Sequence, residues 1–302
     1  MESWYTIKEQ CAGKYRLLLL WWIYKIFHLT GLKIILYPII LVMLYFLKGG
    51  RKASRAYQQV LKQYAKKHSL NLKSPSTYRH IYSYAFSLAE KMSVLCDKKC
   101  RIKFTIHNDR HWRQFLQDLQ KDSGLFLISS HLGNIETLAA IPNYFPSLPQ
   151  KNVNALMEIG QNSIFHQFIC ERNRSSAFKL YDAKKLDFAT IMELYEKLEQ
   201  GDSILMAADR LSSQNPKAQI TQTLLDKKCA IPTGTFQFAK KINAPTYAIL
   251  LLRHKNGEYK LYLKQLDLSK SLPQIAAQYL TFIEKYLLQY PEQWYNFYQF
   301  FQ

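Results

Sequence analysis

Residues 125–136 read LFLISSHLGNIE, and this stretch decides the fold. An apolar run leads into two serines and then into His131, where a helix is expected to begin near the following glycine. Strands that are apolar at every position are typical of parallel sheets with helices on both faces. The stretch therefore predicts a buried strand with His131 at its carboxyl end, which is where open α/β sheets bind their ligands.

Short apolar runs alternate with helical patterns over the whole chain downstream of this stretch. The predicted strands lie near 152–157, 178–181, 203–207, 246–252 and 259–266. The predicted helices lie near 161–171, 187–200, 234–241 and 272–290. This alternation predicts an α/β core with a mixed, mostly parallel sheet flanked by helices.

The first 50 residues are far more apolar than the rest. The second apolar run, residues 34–47, has 14 residues, and a helix of that length rises about 21 Å against a hydrocarbon core of about 30 Å. A spanning helix would therefore carry Lys33 and His28 into lipid. A monotopic hairpin lying in the membrane interface fits about as well, and a buried pair of helices is the third alternative.

Three regions follow from this pattern. We predict a membrane-associating segment over 1–50, a basic helical region over 51–121 with helices at 54–68 and 77–95, and an α/β core over 122–302.

Positive charge dominates the chain and is concentrated next to the apolar segment. The sequence has 41 Lys and Arg against 22 Asp and Glu, and residues 48–120 contain 16 of the former and four of the latter. Basic residues beside a membrane segment attract anionic lipid and mark its cytoplasmic side. Nucleic acid is the alternative partner, but we find no helix-turn-helix or RNA-recognition signature. We therefore expect an anionic membrane surface and no nucleic acid.

The cysteines indicate neither a disulfide framework nor a metal site. Five cysteines in a long chain favour a reducing, cytosolic setting. Cys96, Cys100, His107 and His111 have zinc-like spacing, but the gap between the pairs is about half of the usual length. Residues 101–107 also alternate like a strand. We therefore expect no metal.

His131 and Glu136 form a candidate base and its partner. On a regular helix they would be about 140° apart, so they meet only if His131 lies in the preceding loop. Glu136 could then hydrogen bond one ring nitrogen and leave the other as a base for a hydroxyl or amine of the substrate. Gly133 would let the backbone approach the substrate, and the helix N-terminus would stabilise an oxyanion. A structural histidine is the alternative interpretation.

The same residues carry a resemblance to a known family. The segment His131-Leu-Gly-Asn-Ile-Glu136 resembles the HxGNxE form of the His-x4-Asp/Glu motif of the lysophospholipid acyltransferase superfamily, in its lipid A biosynthesis (lauroyl/myristoyl) acyltransferase branch. Further blocks resemble this branch in order along nearly the whole chain: Ala208-Asp209-Arg210, residues 224–234, Ala239 with Ala244-Pro245, and Pro291-Glu292-Gln293-Trp294. The leader also resembles that of family members found in glycolipid and aryl-polyene-type gene sets, through residues 17–22 (LLLLWW), 36–39 (LYPI), Arg51, Ser54-Arg55 and Tyr57.

The resemblance implies transfer of a fatty acyl group from a thioester to a hydroxyl or amine of a lipid or glycolipid. His131 would remove the proton of the acceptor, and Glu136 would orient His131 and offset its charge. The thioester donor would be acyl carrier protein or acyl-CoA, with no bound cofactor. Acyl carrier protein is acidic, which suits a basic surface. The enzyme would act at the cytoplasmic face of the bacterial inner membrane.

Five residues are candidates for substrate contacts. Gly133 and Asn134 lie inside the motif, Glu158 follows the strand near 152–157, and Asp209 and Arg210 follow the strand at 203–207, at the same sheet edge as His131. Asn134 could instead close the first helical turn, and Glu158 could begin a helix. The alternative functions are a non-catalytic basic protein that binds a membrane surface or nucleic acid, and an acyl-thioester hydrolase on the same fold.

Overall fold

The computed structural model describes residues 14–72, 76–97, 100, 102–107, 109–140, 148–149, 151–158 and 178–302. Three long helices come first along the chain: α1 (Lys14–Phe46), α2 (Lys48–Lys67) and α3 (Thr77–Cys96). The last two confirm the helices predicted at 54–68 and 77–95. The helix predicted at 161–171 lies outside the described residues.

The core contains nine strands and four longer helices in the described part of the chain. The strands are β1 (Phe104–Ile106), β2 (Phe126–Ser129), β3 (Val153–Met157), β4 (Phe178–Asp182), β5 (Ser203–Ala207), β6 (Gln219–Leu224), β7 (Lys227–Pro232), β8 (Thr246–Arg253) and β9 (Tyr259–Gln265). The helices are α4 (Arg110–Leu119), α5 (Phe188–Glu199), α6 (Thr233–Ile242) and α7 (Leu272–Gln289). Short 3₁₀ helices cover Ile135–Ala140, Ala183–Lys185 and Pro291–Gln293. Every strand predicted downstream of residue 122 is present, whereas α4 and the hairpin β6–β7 were not predicted.

Seven strands form one mixed sheet in the order β1-β9-β8-β2-β5-β3-β4. All neighbours are parallel except β8 and β9. The fold is therefore the predicted α/β architecture with a mostly parallel sheet. Since β2, β3, β4, β5 and β8 run in the same direction, their carboxyl ends form one edge of the sheet.

The central strand β2 is apolar throughout because both of its faces are covered. Phe126 and Ile128 pack into the layer that contains α6 and α7, whereas Leu125 and Leu127 pack into the opposite layer with α4. All four side chains are at most 4% exposed. Burial on both faces explains why the sequence of β2 shows no alternation.

Region 51–121 contributes directly to the sheet. Strand β1 pairs with β9 at one edge, and α4 covers one face. Helix α4 begins where the Asp109 carboxylate accepts the backbone N–H groups of His111 and Trp112, which satisfies two donors of its first turn. The predicted boundary at 121/122 stays a prediction, but the chain before it is part of the core.

Helix α1 is broken at His28, where the backbone is not helical (φ 53°, ψ −174°). On either side of the break it packs along α3: Leu17 lies against Met92, and Tyr24 and Leu32 lie in one cluster with Phe86. Among the described residues, one helix, Leu17–Phe46, is long and apolar enough to cross a membrane by length and composition. The predicted apolar segment is thus a helix that lies against the domain.

The last residues of the chain run beside the loop that follows β2. Trp294 is fully buried and forms a β-bridge with Leu132. The N–H of Gly133 donates to the carbonyl of Gln293 (3.0 Å), and the N–H of Tyr295 donates to the carbonyl of His131 (2.8 Å). The two ends of the sequence-predicted core therefore meet at His131.

Candidate active site

His131 and Asp209 lie side by side at the carboxyl edge of the sheet. In the register of β2 and β5, Ser129 is opposite Ala207, where both strands end, and His131 and Asp209 each follow two residues later. The His131 Nδ1 atom lies 2.8 Å from Asp209 Oδ1, and the His131 backbone N–H donates to Asp209 Oδ2 at 2.7 Å. The carboxylate therefore fixes both the backbone and the ring of the histidine.

Burial and the surrounding charges set the protonation state of the imidazole, and the contact with Asp209 sets its tautomer. Burial lowers the pKa of His131, and the positive charge of Arg210 lowers it further, whereas the negative charges of Asp209 and Glu136 act in the opposite direction. Burial alone would raise the pKa of Asp209, but His131 and Arg210 hold it below its ordinary value. An ionised Asp209 accepts the Nδ1 proton, so the neutral ring carries its lone pair on Nε2. The side chain of His131 is 30% exposed, so solvent reaches it.

Segment 295–298 holds Asp209 and Arg210 in place. Asn296 Nδ2 donates to Asp209 Oδ2 at 2.9 Å, and the hydroxyl of Tyr298 donates to the Asp209 carbonyl at 3.1 Å. Arg210 Nε donates to Asn296 Oδ1 at 2.8 Å, and its terminal nitrogen donates to the carbonyl of Tyr295 at 3.0 Å. Asp209, with its side chain fully buried, thus accepts bonds from both the histidine and the C-terminal segment.

Glu136 has a different partner from the one predicted. The sequence predicts a hydrogen bond from His131 to Glu136, but the carboxylate bonded to the ring is that of Asp209. Glu136 Oε1 instead accepts a 2.6 Å bond from Lys91 Nζ of α3. Burial would raise the pKa of Glu136, but the Lys91 ammonium holds it below its ordinary value. The two carboxylates have different partners because Glu136 lies in the first turn of a 3₁₀ helix that packs on α3, whereas β5 places Asp209 next to His131.

Gly133 and Asn134 shape the loop after β2. Gly133 has a φ of +89°, and a Cβ at this position would lie 2.3 Å from the carbonyl oxygen of Leu251, so only glycine lets the loop pack on β8. Asn134 is 1% exposed, and its side-chain amide donates to the Ser87 carbonyl at 3.1 Å and to the Tyr259 hydroxyl at 3.2 Å. Both residues therefore contact protein atoms at the positions where substrate contacts were predicted.

The backbone N–H groups that were expected to stabilise an oxyanion at this helix start are bonded to other parts of the protein, so the expectation was wrong. The backbone N–H of Gly133 donates to the Gln293 carbonyl and that of Asn134 donates to the Leu251 carbonyl. Neither group points to an open position. The helix that follows is a 3₁₀ helix of six residues.

Glu158 lies at the same sheet edge, beyond β5. Its Oε1 atom accepts the backbone N–H of Ser213 at 2.8 Å, and its Oε2 atom lies 4.0 Å from Lys184 Nζ. Among the described residues, Oε2 has no hydrogen-bond partner although it is buried. The structure thus joins Glu158 to the loop after β5, while it brings Asp209 and Arg210 to His131.

Three residues of the site were missed by sequence reasoning. Lys91 lies on α3, and Asn296 and Tyr298 lie near the C-terminus. No local pattern distinguishes them from other polar residues, because their roles depend on which elements pack together. The block Pro291–Trp294 was the only sequence signal in this part of the chain.

No metal centre is visible in the part of the chain that the structure describes. No group of three or more His, Cys, Asp or Glu side chains there could hold a metal ion. What the arrangement offers is a neutral, partly exposed imidazole that a buried carboxylate holds in one tautomer. Such a pair removes a proton from a nucleophile bound at Nε2.

A comparison with known protein families identifies the family of the chain. The sequence model described as bacterial lipid A biosynthesis acyltransferase matches residues 77–302. No curated protein matches the chain. The matched range includes α3 and the whole seven-stranded sheet. It also includes the two carboxylates near His131, Glu136 and Asp209, and the C-terminal segment 295–298 that holds Asp209.

Proposed function

The chain belongs to the bacterial lipid A biosynthesis acyltransferase family, and from this premise we propose that it moves a fatty acyl group from a thioester donor to a hydroxyl or amine of a membrane lipid or glycolipid. The donor is acyl carrier protein or acyl-CoA. The observation that carries the proposal is the 2.8 Å contact of His131 Nδ1 with the buried carboxylate of Asp209.

In the proposed reaction, His131 Nε2 removes the proton of the acceptor hydroxyl or amine as that group attacks the thioester carbonyl. The new carbon–oxygen or carbon–nitrogen bond forms, the carbon–sulfur bond breaks, and the departing thiolate takes the proton from the imidazolium. Asp209 stabilises the imidazolium through Nδ1 and keeps the ring in the productive tautomer. Glu136, which raises the pKa of His131 from a longer distance, adds to this stabilisation.

Arg210 and Glu158, which do not hydrogen bond His131, have supporting roles in this proposal. Arg210 lies beside the histidine, and its positive charge lowers the pKa of His131, which keeps the base in its neutral form. Glu158 fixes the loop after β5, which borders the space where a substrate would approach. We further propose that the enzyme works at the cytoplasmic face of the inner membrane, where both acyl thioesters and the lipid acceptor are available.

The first test is lipid mass spectrometry of the native host after deletion of the gene. One lipid class should lose a single acyl group, and wild-type protein should restore it, whereas His131→Ala should not. The matched control is His68→Ala, which removes an exposed histidine at the end of α2. If His131→Ala restores the lipid, the assignment of the base is wrong, and if no lipid changes, a non-catalytic binding protein is favoured.

A second test separates transfer from hydrolysis with the purified protein. The acyl thioester is supplied with and without a lipid extract of the deletion strain, and free fatty acid and acylated lipid are both measured. An acyltransferase consumes the thioester mainly when the acceptor is present. Equal consumption without acceptor would identify the protein as a thioester hydrolase.

A further inference from the structure

Helix α1 presents an uncharged apolar stripe to the outside of the domain. Side chains three, four or eight residues apart along it are more than half exposed: Leu19, Trp22, Ile26, Ile34, Tyr37 and Leu41. Lys25 and Lys33 of this helix are held at its flank, because Lys25 Nζ donates to Asp97 at 3.0 Å and Lys33 Nζ lies 5.4 Å from the ring centre of Phe86. Exposed apolar patches of this extent mark interaction surfaces.

The packing of α1 fixes its direction relative to the catalytic domain. It lies along α3, where the hydroxyl of Tyr78 donates to the carbonyl of Tyr37 at 3.1 Å. The opposite face of α3 is built into the domain: His80 bonds the Trp294 carbonyl, and Glu90 accepts the hydroxyl of Tyr259 at 2.6 Å. If α1 crossed a bilayer in this arrangement, α3 and these polar groups would enter the hydrocarbon, which is strongly unfavourable.

A basic groove begins directly after this stripe. Lys48, Arg51, Lys52 and Arg55 lie at i, i+3, i+4 and i+7 of α2 and line a surface cavity of about 410 Å³. Arg51 also donates to the Tyr45 carbonyl in the last turn of α1 at 3.4 Å, which joins the groove to the stripe. Four cations around one concavity favour a phosphate group.

We propose that α1 lies in the plane of an anionic phospholipid bilayer, with its exposed stripe among the acyl chains, and that the groove of α2 binds the phosphate of an anionic lipid headgroup. Short-range attraction to headgroups and burial of the stripe then act on adjacent surfaces, as in other interfacial helices. This inference deepens the proposed function, because it brings the domain that contains His131 against the membrane surface. Docking itself requires no acyl transfer.

The orientation of α1 is tested with inside-out inner-membrane vesicles. A recognition site for a specific protease is placed before Met1 in one variant and after Gln302 in another. An in-plane helix leaves both ends on the cytoplasmic side, so added protease should cut both variants. If α1 spans the membrane, only the C-terminal site is cut before detergent is added, and the proposal is overturned.

The groove is tested by flotation of the purified protein with vesicles of phosphatidylcholine, with or without phosphatidylglycerol. Each cation at an anionic surface changes partitioning by about fivefold, so Lys52→Gln/Arg55→Gln should weaken binding to phosphatidylglycerol vesicles by about 25-fold. Binding to pure phosphatidylcholine should not change. The matched control, Lys217→Gln/Lys228→Gln, removes the same amount of charge at two exposed lysines elsewhere. Its binding to phosphatidylglycerol vesicles should weaken much less.

Three results would count against the groove. Equal losses in both double variants would show a general charge effect. Competition by millimolar inorganic phosphate without any preference for phosphatidylglycerol would indicate a site for free phosphate. Binding of acyl carrier protein in solution that depends on Lys52 and Arg55, with vesicle binding intact, would assign the groove to an acidic protein. His131→Ala should dock like wild type, so a failure of docking is distinguishable from a failure of the proposed catalysis.

Discussion

Two adjacent turns at the sheet edge each bring a carboxylate close to His131, and they do so in different ways. The turn after β5 places Asp209 within hydrogen-bond distance of the ring, although 78 residues separate the two in sequence. The 3₁₀ helix after β2 contains Glu136, only five residues from His131, yet its carboxylate bonds Lys91. Proximity at this edge is determined by strand register and not by spacing along the chain.

The largest effect should come from Asp209→Asn. The amide keeps the shape of the carboxylate but removes the charge that holds the Nδ1 proton and stabilises the imidazolium. We expect kcat for acyl transfer to fall by about 10³–10⁴-fold, as for other histidine–carboxylate pairs. Purified enzyme with saturating thioester and acceptor gives the measurement.

Asp226→Asn is the matched control for this change, since Asp226 is an exposed aspartate in the β6–β7 turn. It should leave kcat within about twofold of wild type. Circular dichroism should show that both variants are folded. A loss of less than about tenfold for Asp209→Asn would mean that the contact is structural and that the pairing with β5 does not serve catalysis.

Glu136→Gln should have a smaller effect, because Glu136 acts on His131 through charge alone. We expect a decrease of about tenfold or less in kcat, with the bond to Lys91 replaced by a weaker one. The decisive quantity is the ratio of the two losses in the same assay. If Glu136→Gln lost far more activity than Asp209→Asn, the partner predicted from the sequence motif would be the catalytic one.

Asn296→Ala probes how firmly the turn after β5 is held. The substitution removes one donor to Asp209 Oδ2 and the acceptor of Arg210 Nε, while His131 keeps its own contact. We expect kcat to fall about fivefold and KM to change little, because positioning is loosened and the base is retained. Partial rescue by Asn296→Gln would show that the amide itself is needed, whereas no loss at all in alanine would show that this segment only stabilises the fold.

The position of His131 could be predicted from the sequence, whereas its hydrogen-bond partner could not. The apolar run 125–128 and the polar residues after it were sufficient to predict a buried strand with His131 at its end. Asp209 was placed at the same edge from the strand at 203–207. Neither pattern encodes that β2 and β5 are neighbours, and only that adjacency selects Asp209 over Glu136. The bonds of Asn296 to Asp209 and Arg210 were equally hidden, because they depend on how the C-terminal segment packs.

Arg210→Gln should produce the smallest change and the most specific one. The Arg210 charge lowers the pKa of His131, so its removal should raise that pKa toward the ordinary value of about 6.5. The base works in its neutral form, and the rate falls as the pH drops through its pKa. The acidic limb of the profile of kcat/KM against pH should therefore move to higher pH in Arg210→Gln, while the rate on the plateau changes little.

Arg253→Gln serves as the control for this shift, because Arg253 forms its ion pair with Glu90 and is not among the charges that act on His131. Its profile should keep the wild-type position of the acidic limb. A limb that stays in place in Arg210→Gln would show that the group titrating in the rate is not His131. A limb that moves only in Arg210→Gln identifies the turn after β5 as the region that sets the charge state of the base.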